Sequence, residues 1–381
     1  MFEPRRHSWR WWLVAATLAL ITACAGSPDG SGSEPTPAGQ PTSSGSEQVA
    51  AVFDDLVDGD NTAVVFEDLR AVLVLVGGRP LVERYYDSSA EATSNVASVT
   101  KSVMSILVGV ALDEGDLGSV DQTLAELLPD YAAIMTPDVA GVTLEQVLTM
   151  TAGLPEDRGV AVPPHYLTED WVAAILTGGL DQPPGEVFAY ASAGSHLLSA
   201  ILVEATGRSV LDYARDKLFD PLGINTEPAA EPLAVEENLP VYEAASFAWP
   251  IDPQGLHLGD AFLKISAPDM AKIGQLMLDD GRWDEKQTVP TQWVTESTRA
   301  QVSTGGYGVG GDDYGYHWWV TTADGHHAFV AAGFGGQLIE VVPDLDLVVV
   351  VSCTIPDGNV HLDASTFRGL VNNMVAPDIA P

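Results

Sequence analysis

The chain has 381 residues, of which 46% are hydrophobic, and it includes 9 Trp. This is enough apolar material to bury one large core or two modest ones, and it excludes a wholly disordered chain. The 53 acidic residues outnumber the 17 basic ones and give a net charge of −36, which repels phosphate backbones and argues against nucleic acid as a partner.

The N-terminus is typical of an export signal rather than of a membrane-spanning helix. Three arginines precede an apolar run over 11–23, which is too short to cross about 30 Å of hydrocarbon as a helix. The run ends in Ile-Thr-Ala-Cys, which resembles a bacterial lipobox, so we expect a signal peptide over 1–23 and lipid on Cys24. The alternative is an ordinary secretory signal that is cleaved nearby.

The residues after the signal are predicted to tether a folded domain to the outer face of the cell membrane. Residues 24–48 are rich in Ser, Gly and Pro and lack hydrophobic periodicity, as expected of a flexible linker. The folded domain is expected over 49–381 and is therefore predicted to be extracytoplasmic. Cys353 lies in an apolar run and is expected to be a buried strand residue.

Strand patterns open the domain, helices fill its middle, and strands return near its end. Runs of apolar and β-branched residues predict strands over 69–76 and 81–86. A helix follows over 98–114, and its residues 103–112 are apolar or small on every side, which predicts burial all round. Further helices are predicted at 144–150, 171–177, 195–205, 210–218 and 267–279. The C-terminal part is predicted to contain strands at 314–321, 327–332, 337–342 and 345–351 and a final helix at 364–374.

This order of elements predicts an α+β fold of the α/β-sandwich type. An antiparallel sheet is expected to form from both ends of the chain and to be flanked by helices. The sheet-forming part would comprise 49–115 and 295–381, with a mostly helical region inserted over 116–294.

Ser98 and Lys101 are the first candidates for chemistry. A separation of three residues on a helix places both side chains on one face, with about 5–6 Å between their Cβ atoms. Ser98 falls at the expected helix start, where free backbone N–H groups favour a developing negative charge. Burial of Lys101 would favour its neutral amine, which can serve as the base that a nucleophilic serine needs. A capping serine beside a lysine that reaches solvent is the alternative, and the pair alone does not decide between them.

Several segments together make the chain resemble the penicillin-recognising serine hydrolases. This family includes class C β-lactamases, D-Ala-D-Ala carboxypeptidases, family VIII esterases and 6-aminohexanoate-dimer hydrolases. The motifs that carry the resemblance are Ser-Val-Thr-Lys at 98–101, Tyr-Ala-Ser at 190–192 and Ala-Ala-Gly-Phe-Gly-Gly-Gln at 331–337. Framing segments at 143–154, 206–224 and 314–319 fit as well, so the resemblance spans about residues 65–375.

The resemblance implies acyl transfer without a metal or a cofactor. Ser98 matches the serine that is acylated, and Lys101 matches its helical partner. Tyr190 matches the tyrosine that passes a proton to the leaving group and helps to activate water afterwards. The backbone N–H groups of Ser98 and Phe334 would form the oxyanion hole.

Four more positions are expected to contact the substrate: Ser192, Gly333, Gly335 and Gln337. Gln337 has the alternative of being a surface strand residue. Ala331 departs from the family pattern, because β-lactamases and carboxypeptidases have Lys or His there to hold the substrate carboxylate. Ser192 also departs, since β-lactamases usually have Asn at that position. Both departures weaken the β-lactamase hypothesis and leave ester or amide hydrolysis intact.

Other kinds of site have weak support in the sequence. The chain contains no Gly-x-Ser-x-Gly elbow and no His-Glu-x-x-His or Cys-x-x-Cys pattern, so no metal is predicted. His317 lies between aromatic residues and is expected to be a packed or rim histidine.

The sequence therefore predicts a serine hydrolase that acts on small esters or amides, including substrates derived from the cell wall. The alternatives are a D-Ala-D-Ala carboxypeptidase or β-lactamase, and a non-catalytic cell-wall-binding relative.

Overall fold

The computed structural model describes residues 68–157, 163–307, 311–355 and 364–372, together with residues 47, 49–51 and 54. The predicted signal peptide, the lipidation site Cys24 and all but one residue of the predicted linker lie outside the described residues. In the part of the chain that is described, no helix is both long and apolar enough to span a membrane. The domain limits at 49 and 381 stay predictions.

An eight-stranded antiparallel sheet forms the centre of the described structure. The strands are β1 (Leu69–Val76), β2 (Arg79–Tyr85), β3 (Thr93–Asn95), β4 (Ala229–Ala230), β5 (Phe247–Ala248), β6 (Lys264–Ser266), β7 (Arg282–Trp283), β8 (Lys286–Gln287), β9 (Val302–Ser303), β10 (Asp313–Tyr314), β11 (Trp319–Ala323), β12 (His326–Gly333), β13 (Gln337–Val342) and β14 (Leu347–Cys353). The large sheet has the order β2-β1-β14-β13-β12-β11-β10-β9. Because β1 pairs directly with β14, the sheet joins both ends of the domain, as predicted.

Helices cover both faces of the sheet, which confirms the predicted α+β class. Within the described residues they lie at α1 (Val99–Glu114), α2 (Leu124–Leu127), α3 (Pro137–Ala140), α4 (Leu144–Leu148), α5 (Trp171–Thr177), α6 (Ser192–Thr206), α7 (Val210–Ala214), α8 (Leu239–Ala244), α9 (Ala267–Leu278), α10 (Thr291–Ser297) and α11 (Ala364–Leu370). Short 3-10 turns lie at Pro129–Ile134, Pro164–Leu167, Glu236–Asn238 and Pro343–Leu345, and a π-helical turn at Arg215–Phe219 extends α7.

Helix α1 runs through the interior of the molecule. All its residues from Val99 to Ala111 are buried, which agrees with a sequence that is apolar or small on every side. Its glycine at position 109 has a packing reason, because a Cβ atom there would lie 2.1 Å from the Trp293 ring of α10. The helix is therefore held inside a close-packed core.

One predicted strand is wrong in its limits. The segment expected as a single strand over 314–321 divides into β10 and β11, with a turn between them. His317 has a left-handed backbone with φ +59°, and a Cβ on Gly315 would lie 2.1 Å from the Ser297 carbonyl oxygen. Neither feature fits an extended strand, so the run of aromatic and β-branched residues predicted too long a strand there.

Candidate active site

Ser98 lies where strand β3 turns into helix α1. Strand β3 pairs with β6 in a small four-stranded sheet, and the Val96 N–H donates to the Leu263 carbonyl at 2.9 Å. Ala97 then adopts a left-handed conformation with φ +48°, held by its N–H bond to Asn95 Oδ1 at 2.9 Å. Ser98 is half-buried at the N-terminal end of α1, and its side chain makes no capping bond to the helix. The hydroxyl is thus available for another partner.

That partner is Lys101. Its Nζ donates to Ser98 Oγ at 3.1 Å and to the Asp260 carbonyl oxygen at 2.7 Å. The Lys101 side chain is 1% exposed, so its amine does not reach solvent. The alternative of a capping serine beside a solvent-reaching lysine is therefore wrong on both points.

Tyr190 forms the neighbouring wall of the same site. The Lys101 Nζ lies 5.1 Å from the centre of the Tyr190 ring. The ring is half-buried and lies nearly parallel to Trp319, at 5.7 Å and an interplanar angle of 16°, and to Tyr307, at 5.8 Å and 21°. Since Tyr307 and Trp319 are also only 6.1 Å apart, the three rings form one aromatic cluster that restricts the Tyr190 ring. The structure therefore brings together the three residues that the sequence singled out for proton transfer and nucleophilic attack.

Two acidic residues that the sequence analysis missed also lie beside Lys101. The Asp157 carboxylate accepts the Ser192 N–H, with 3.0 Å to each of its oxygens, at the N-terminus of α6. Burial raises the pKa of Asp157, and the charge on Lys101 partly offsets this rise. Asp260, whose carbonyl holds Lys101, has a buried carboxylate. No local pattern distinguishes these two among the 53 acidic residues of the chain.

His317 packs beneath the site as a neutral histidine. It is 1% exposed, with Nδ1 3.3 Å from the Lys101 carbonyl oxygen and Nε2 3.4 Å from Ser195 Oγ. Burial lowers the pKa of His317 to about 3, and the Lys101 charge acts in the same direction. The prediction of a packed histidine is confirmed.

The turn between β12 and β13 approaches the nucleophile from the sheet side. A Cβ on Gly333 would lie 2.4 Å from the Val96 carbonyl oxygen and 3.2 Å from the Ala97 Cβ, so the strand backbone touches the segment that leads to Ser98. Phe334 is the next residue and is half-buried. This adjacency is compatible with the predicted oxyanion hole, which stays a prediction.

The structure places the other residues that were expected to contact the substrate in different environments. Gln337 is fully buried, its Nε2 donates to the Cys353 carbonyl at 2.7 Å, and its Oε1 accepts the Cys353 N–H at 3.2 Å. The expectation that Gln337 contacts substrate is corrected, because the neighbouring strand occupies both polar ends, and the alternative of a surface residue is wrong too. Gly335 is a buried left-handed turn residue with φ +77°. Ala331 is buried in the core, and it is the backbone N–H of Ser192 that donates to Asp157. Substrate contact by Ser192, Gly333 and Gly335 stays a prediction.

No cluster of three or more His, Cys, Asp or Glu side chains that is suited to hold a metal ion occurs in the described portion of the chain. The groups that surround Ser98 are an amine, a phenol, two carboxylates and backbone amides. This set suits nucleophilic attack by a hydroxyl with proton transfer to a neighbouring base.

Comparison with known proteins supports the same chemistry. Residues 61–371 match the family model described as Beta-lactamase. Penicillin-binding protein 4 of Amycolatopsis lactamdurans is 27% identical over 301 residues, covering 73% of this chain and 76% of that protein. The 6-aminohexanoate-dimer hydrolase of Paenarthrobacter ureafaciens is 24% identical over 312 residues, covering 75% and 73%.

A solved structure shares the fold. EstCE1, described as a hydrolase with promiscuous acyltransferase activity, superposes with a TM-score of 0.65 at 17% identity and covers 87% of this chain and 98% of that chain. The family match spans most of the chain, and the sheet and the helices agree with the fold of the solved structure. The chain therefore belongs to the beta-lactamase family of serine hydrolases.

Proposed function

We propose that the protein is an extracytoplasmic hydrolase that cleaves a carboxylic ester or amide through an acyl-enzyme on Ser98. The observation that carries this proposal is the 3.1 Å contact between Lys101 Nζ and Ser98 Oγ in a buried site. A serine hydroxyl is a weak nucleophile at neutral pH, and a neighbouring amine can take its proton. Relatives named as a 6-aminohexanoate-dimer hydrolase and a penicillin-binding protein support this class of reaction.

The proposed reaction begins with attack of Ser98 Oγ on the substrate carbonyl while Lys101 takes the hydroxyl proton. The backbone N–H groups of Ser98 and Phe334 stabilise the oxyanion, assisted by the N-terminal end of α1. The proton then passes by way of Tyr190 to the leaving group, which departs as an alcohol or amine. Water next attacks the acyl-enzyme and gives up a proton to the same groups, which pass it to Ser98 Oγ as the bond to the acyl group breaks and the carboxylic acid is released.

The residues around the site favour a neutral carbonyl substrate over an anionic one. Ala331 contributes no cation, because its side chain is an uncharged methyl group, and it is fully buried in the core. The two further groups next to Lys101, Asp157 and Asp260, are acidic and supply no cation either. A small ester or amide without a carboxylate at this point, including a cell-wall-derived amide, fits this charge distribution.

Turnover of a short-chain p-nitrophenyl ester tests the proposal. Full-length wild type should release p-nitrophenol, and Ser98→Ala should reduce release to the level of buffer. Ser105→Ala is the matched control, because Ser105 is buried in the same helix and its hydroxyl has no partner among the described residues. Equal turnover by wild type and Ser98→Ala would remove Ser98 as the nucleophile.

A D-Ala-D-Ala carboxypeptidase or β-lactamase is the second candidate function. The similarity to a penicillin-binding protein over 73% of this chain favours it, and Ala331 argues against it. Covalent labelling by a fluorescent penicillin, absent in Ser98→Ala, would support this function. A non-catalytic wall-binding protein would instead bind peptidoglycan without hydrolysing it, but the intact cluster of Ser98, Lys101 and Tyr190 argues against that role.

We also propose that the protein is anchored to the cell membrane by lipid on Cys24. The proposal depends on the apolar run and the Ile-Thr-Ala-Cys sequence. Cells grown with an alkyne fatty acid should label the wild type, while Cys24→Ala should remain unlabelled and keep its signal peptide. Labelling of Cys24→Ala equal to that of the wild type would contradict the anchor.

A further inference from the structure

The loop that contains Asp260 reaches from the helical region to the base of the site. Beyond it, the Leu263 N–H donates to Thr100 Oγ1 of α1 at 3.2 Å. Before it, a Cβ on Gly259 would lie 2.4 Å from the Ser195 carbonyl oxygen of α6, so the loop backbone packs directly on that helix. The loop is therefore tied to both helices that border the site.

Asp260 is held at both of its oxygen-bearing groups. Its backbone carbonyl accepts from Lys101 Nζ at 2.7 Å, and its Oδ2 accepts the Tyr166 hydroxyl. The Asp260 side chain is only 4% exposed, and its Oδ1 has no hydrogen-bond partner among the described residues. The Tyr166 ring is wedged against Trp171 at 4.1 Å and His165 at 4.5 Å. The carboxylate is thus fixed in a buried position.

The carboxylate of Asp260 belongs to the same residue as the carbonyl that binds Lys101 Nζ, so only a few covalent bonds separate it from a hydrogen-bond partner of the amine. In a partly desolvated site, a carboxylate held near an amine stabilises positive charge on that amine.

The polar and titratable groups around Lys101 come from five elements. Ser98 comes from the helix of Lys101 itself, and Tyr190 comes from the segment before α6. Asp157 lies in the loop at 154–157, and His317 lies in the loop before β11. The loop before β6 contributes Asp260, whose carboxylate is held by Tyr166. Burial lowers the pKa of His317 to about 3 and raises the pKa of Asp157, so burial disfavours the charged form of both groups, and Asp260 is the acidic residue that contacts the Lys101 amine directly.

We propose that Asp260 is a positioning residue for Lys101, whose carbonyl aims the amine at Ser98 and whose carboxylate sets the pH at which that amine can act as a base. This role rests on the proposed function, since it requires that Lys101 take the Ser98 proton. Tyr166 serves the same role indirectly by holding the carboxylate.

The pH dependence of kcat/KM in the full-length protein tests this role. Asp260→Asn keeps the shape and the backbone carbonyl but removes the charge, so Lys101 should lose its proton more readily. We expect the acid limb of the profile to move to lower pH by about one unit, the size expected for loss of a nearby opposite charge. A purely structural contribution would lower the rate without moving this limb.

Asp252→Asn is the matched control. Asp252 is also buried, but its carboxylate pairs with His196 at 3.1 Å rather than with the loop that holds Lys101. This variant should lose stability and leave the acid limb in place. An unmoved acid limb in Asp260→Asn, or an equal shift in Asp252→Asn, would overturn the assigned role.

Tyr166→Phe separates position from charge and provides a second test if Asp260→Asn folds poorly. It keeps the carboxylate and removes its donor, so the acid limb should stay within a few tenths of a unit. The kcat per titrated active site should fall about threefold to tenfold, as expected for a less well held base. An unchanged kcat would contradict the role of Tyr166. If the wild type showed no turnover, the proposed function itself would be refuted. If the wild type is active and the acid limb of Asp260→Asn does not move, only the role of Asp260 is refuted.

Discussion

Lys101 shows how burial and acidic neighbours meet at a single residue. Its side chain is enclosed, and the acidic residues Asp157 and Asp260 lie beside it. The Lys101 charge restrains the rise that burial causes in the pKa of Asp157. The sequence led us to expect only the burial, since the two carboxylates come from distant segments.

Lys101→Met is expected to abolish ester turnover with little change in stability. Methionine fills similar volume but cannot accept the Ser98 proton, and the lost hydrogen bonds are offset by removal of a buried charge. Measurements of kcat/KM and of the urea midpoint will check both parts. Turnover above a tenth of the wild-type value would show that another group acts as the base.

Tyr190→Phe should lower kcat about 10²–10⁴-fold, the usual contribution of one acid–base group. The ring stacking on Trp319 and Tyr307 does not involve the hydroxyl, so the fold should be unchanged. Tyr314→Phe is a suitable control, because Tyr314 is buried against the same Trp319 at 4.8 Å without contacting Lys101. Wild-type rates in Tyr190→Phe would remove this residue from the mechanism.

At the scale of elements, the turn from β12 to β13 links the sheet to the site. Gly333 packs on the backbone before Ser98, and Gly336 packs on the far side against α11. A Cβ on Gly336 would lie 2.7 Å from the Phe367 ring and 3.1 Å from Cys353 Sγ. The turn is thus confined between the nucleophile on one side and the C-terminal helix on the other.

Gly336→Ala should therefore destabilise the protein more than Gly325→Ala. Both glycines have left-handed backbones, with φ +89° and +83°, so each substitution costs about 1 kcal/mol for its conformation. Only Gly336 would also clash, which adds about 1–3 kcal/mol, since nothing lies within 4 Å of a Cβ on Gly325. Urea denaturation of the two variants will measure the difference, and equal losses would contradict the packing of α11 on this turn.

For the whole molecule, a buried carboxylate in the central sheet couples stability to pH. Glu340 of β13 is fully buried, and its Oε1 lies 3.8 Å from Arg368 Nε of α11. Burial raises the pKa of Glu340 to about 7, and Arg368 only partly opposes the shift. The folded state therefore holds this proton more tightly than the unfolded state does.

Stability should accordingly fall as the pH rises from about 4.5 to about 7, because the unfolded chain releases the proton first. The loss attributable to this residue is about 3 kcal/mol, at about 1.4 kcal/mol per pH unit. Glu340→Gln should be less pH-sensitive than the wild type, and its advantage should grow between pH 5 and pH 8. If the urea midpoints of the two proteins changed by the same amount between pH 5 and pH 8, the raised pKa could not be assigned to Glu340.

The sequence by itself determined the order and type of the main elements and the chemistry of the cluster. Periodicity and apolar runs are local properties, so the strands at both ends, helix α1 and the Ser98–Lys101 spacing were predictable. The motif around Tyr190 was predictable because it accompanies that spacing in a recognisable family.

Only the tertiary structure decided what surrounds those residues. Lys101 and Asp260 are separated by 159 positions in the chain, and no local pattern indicates that they meet. The same holds for the two bonds from Gln337 to Cys353, which turn an expected substrate contact into part of the sheet. Spacing along the chain specifies which face a side chain occupies, but its partners depend on how distant segments pack, and that packing sets the charge and the burial of the site.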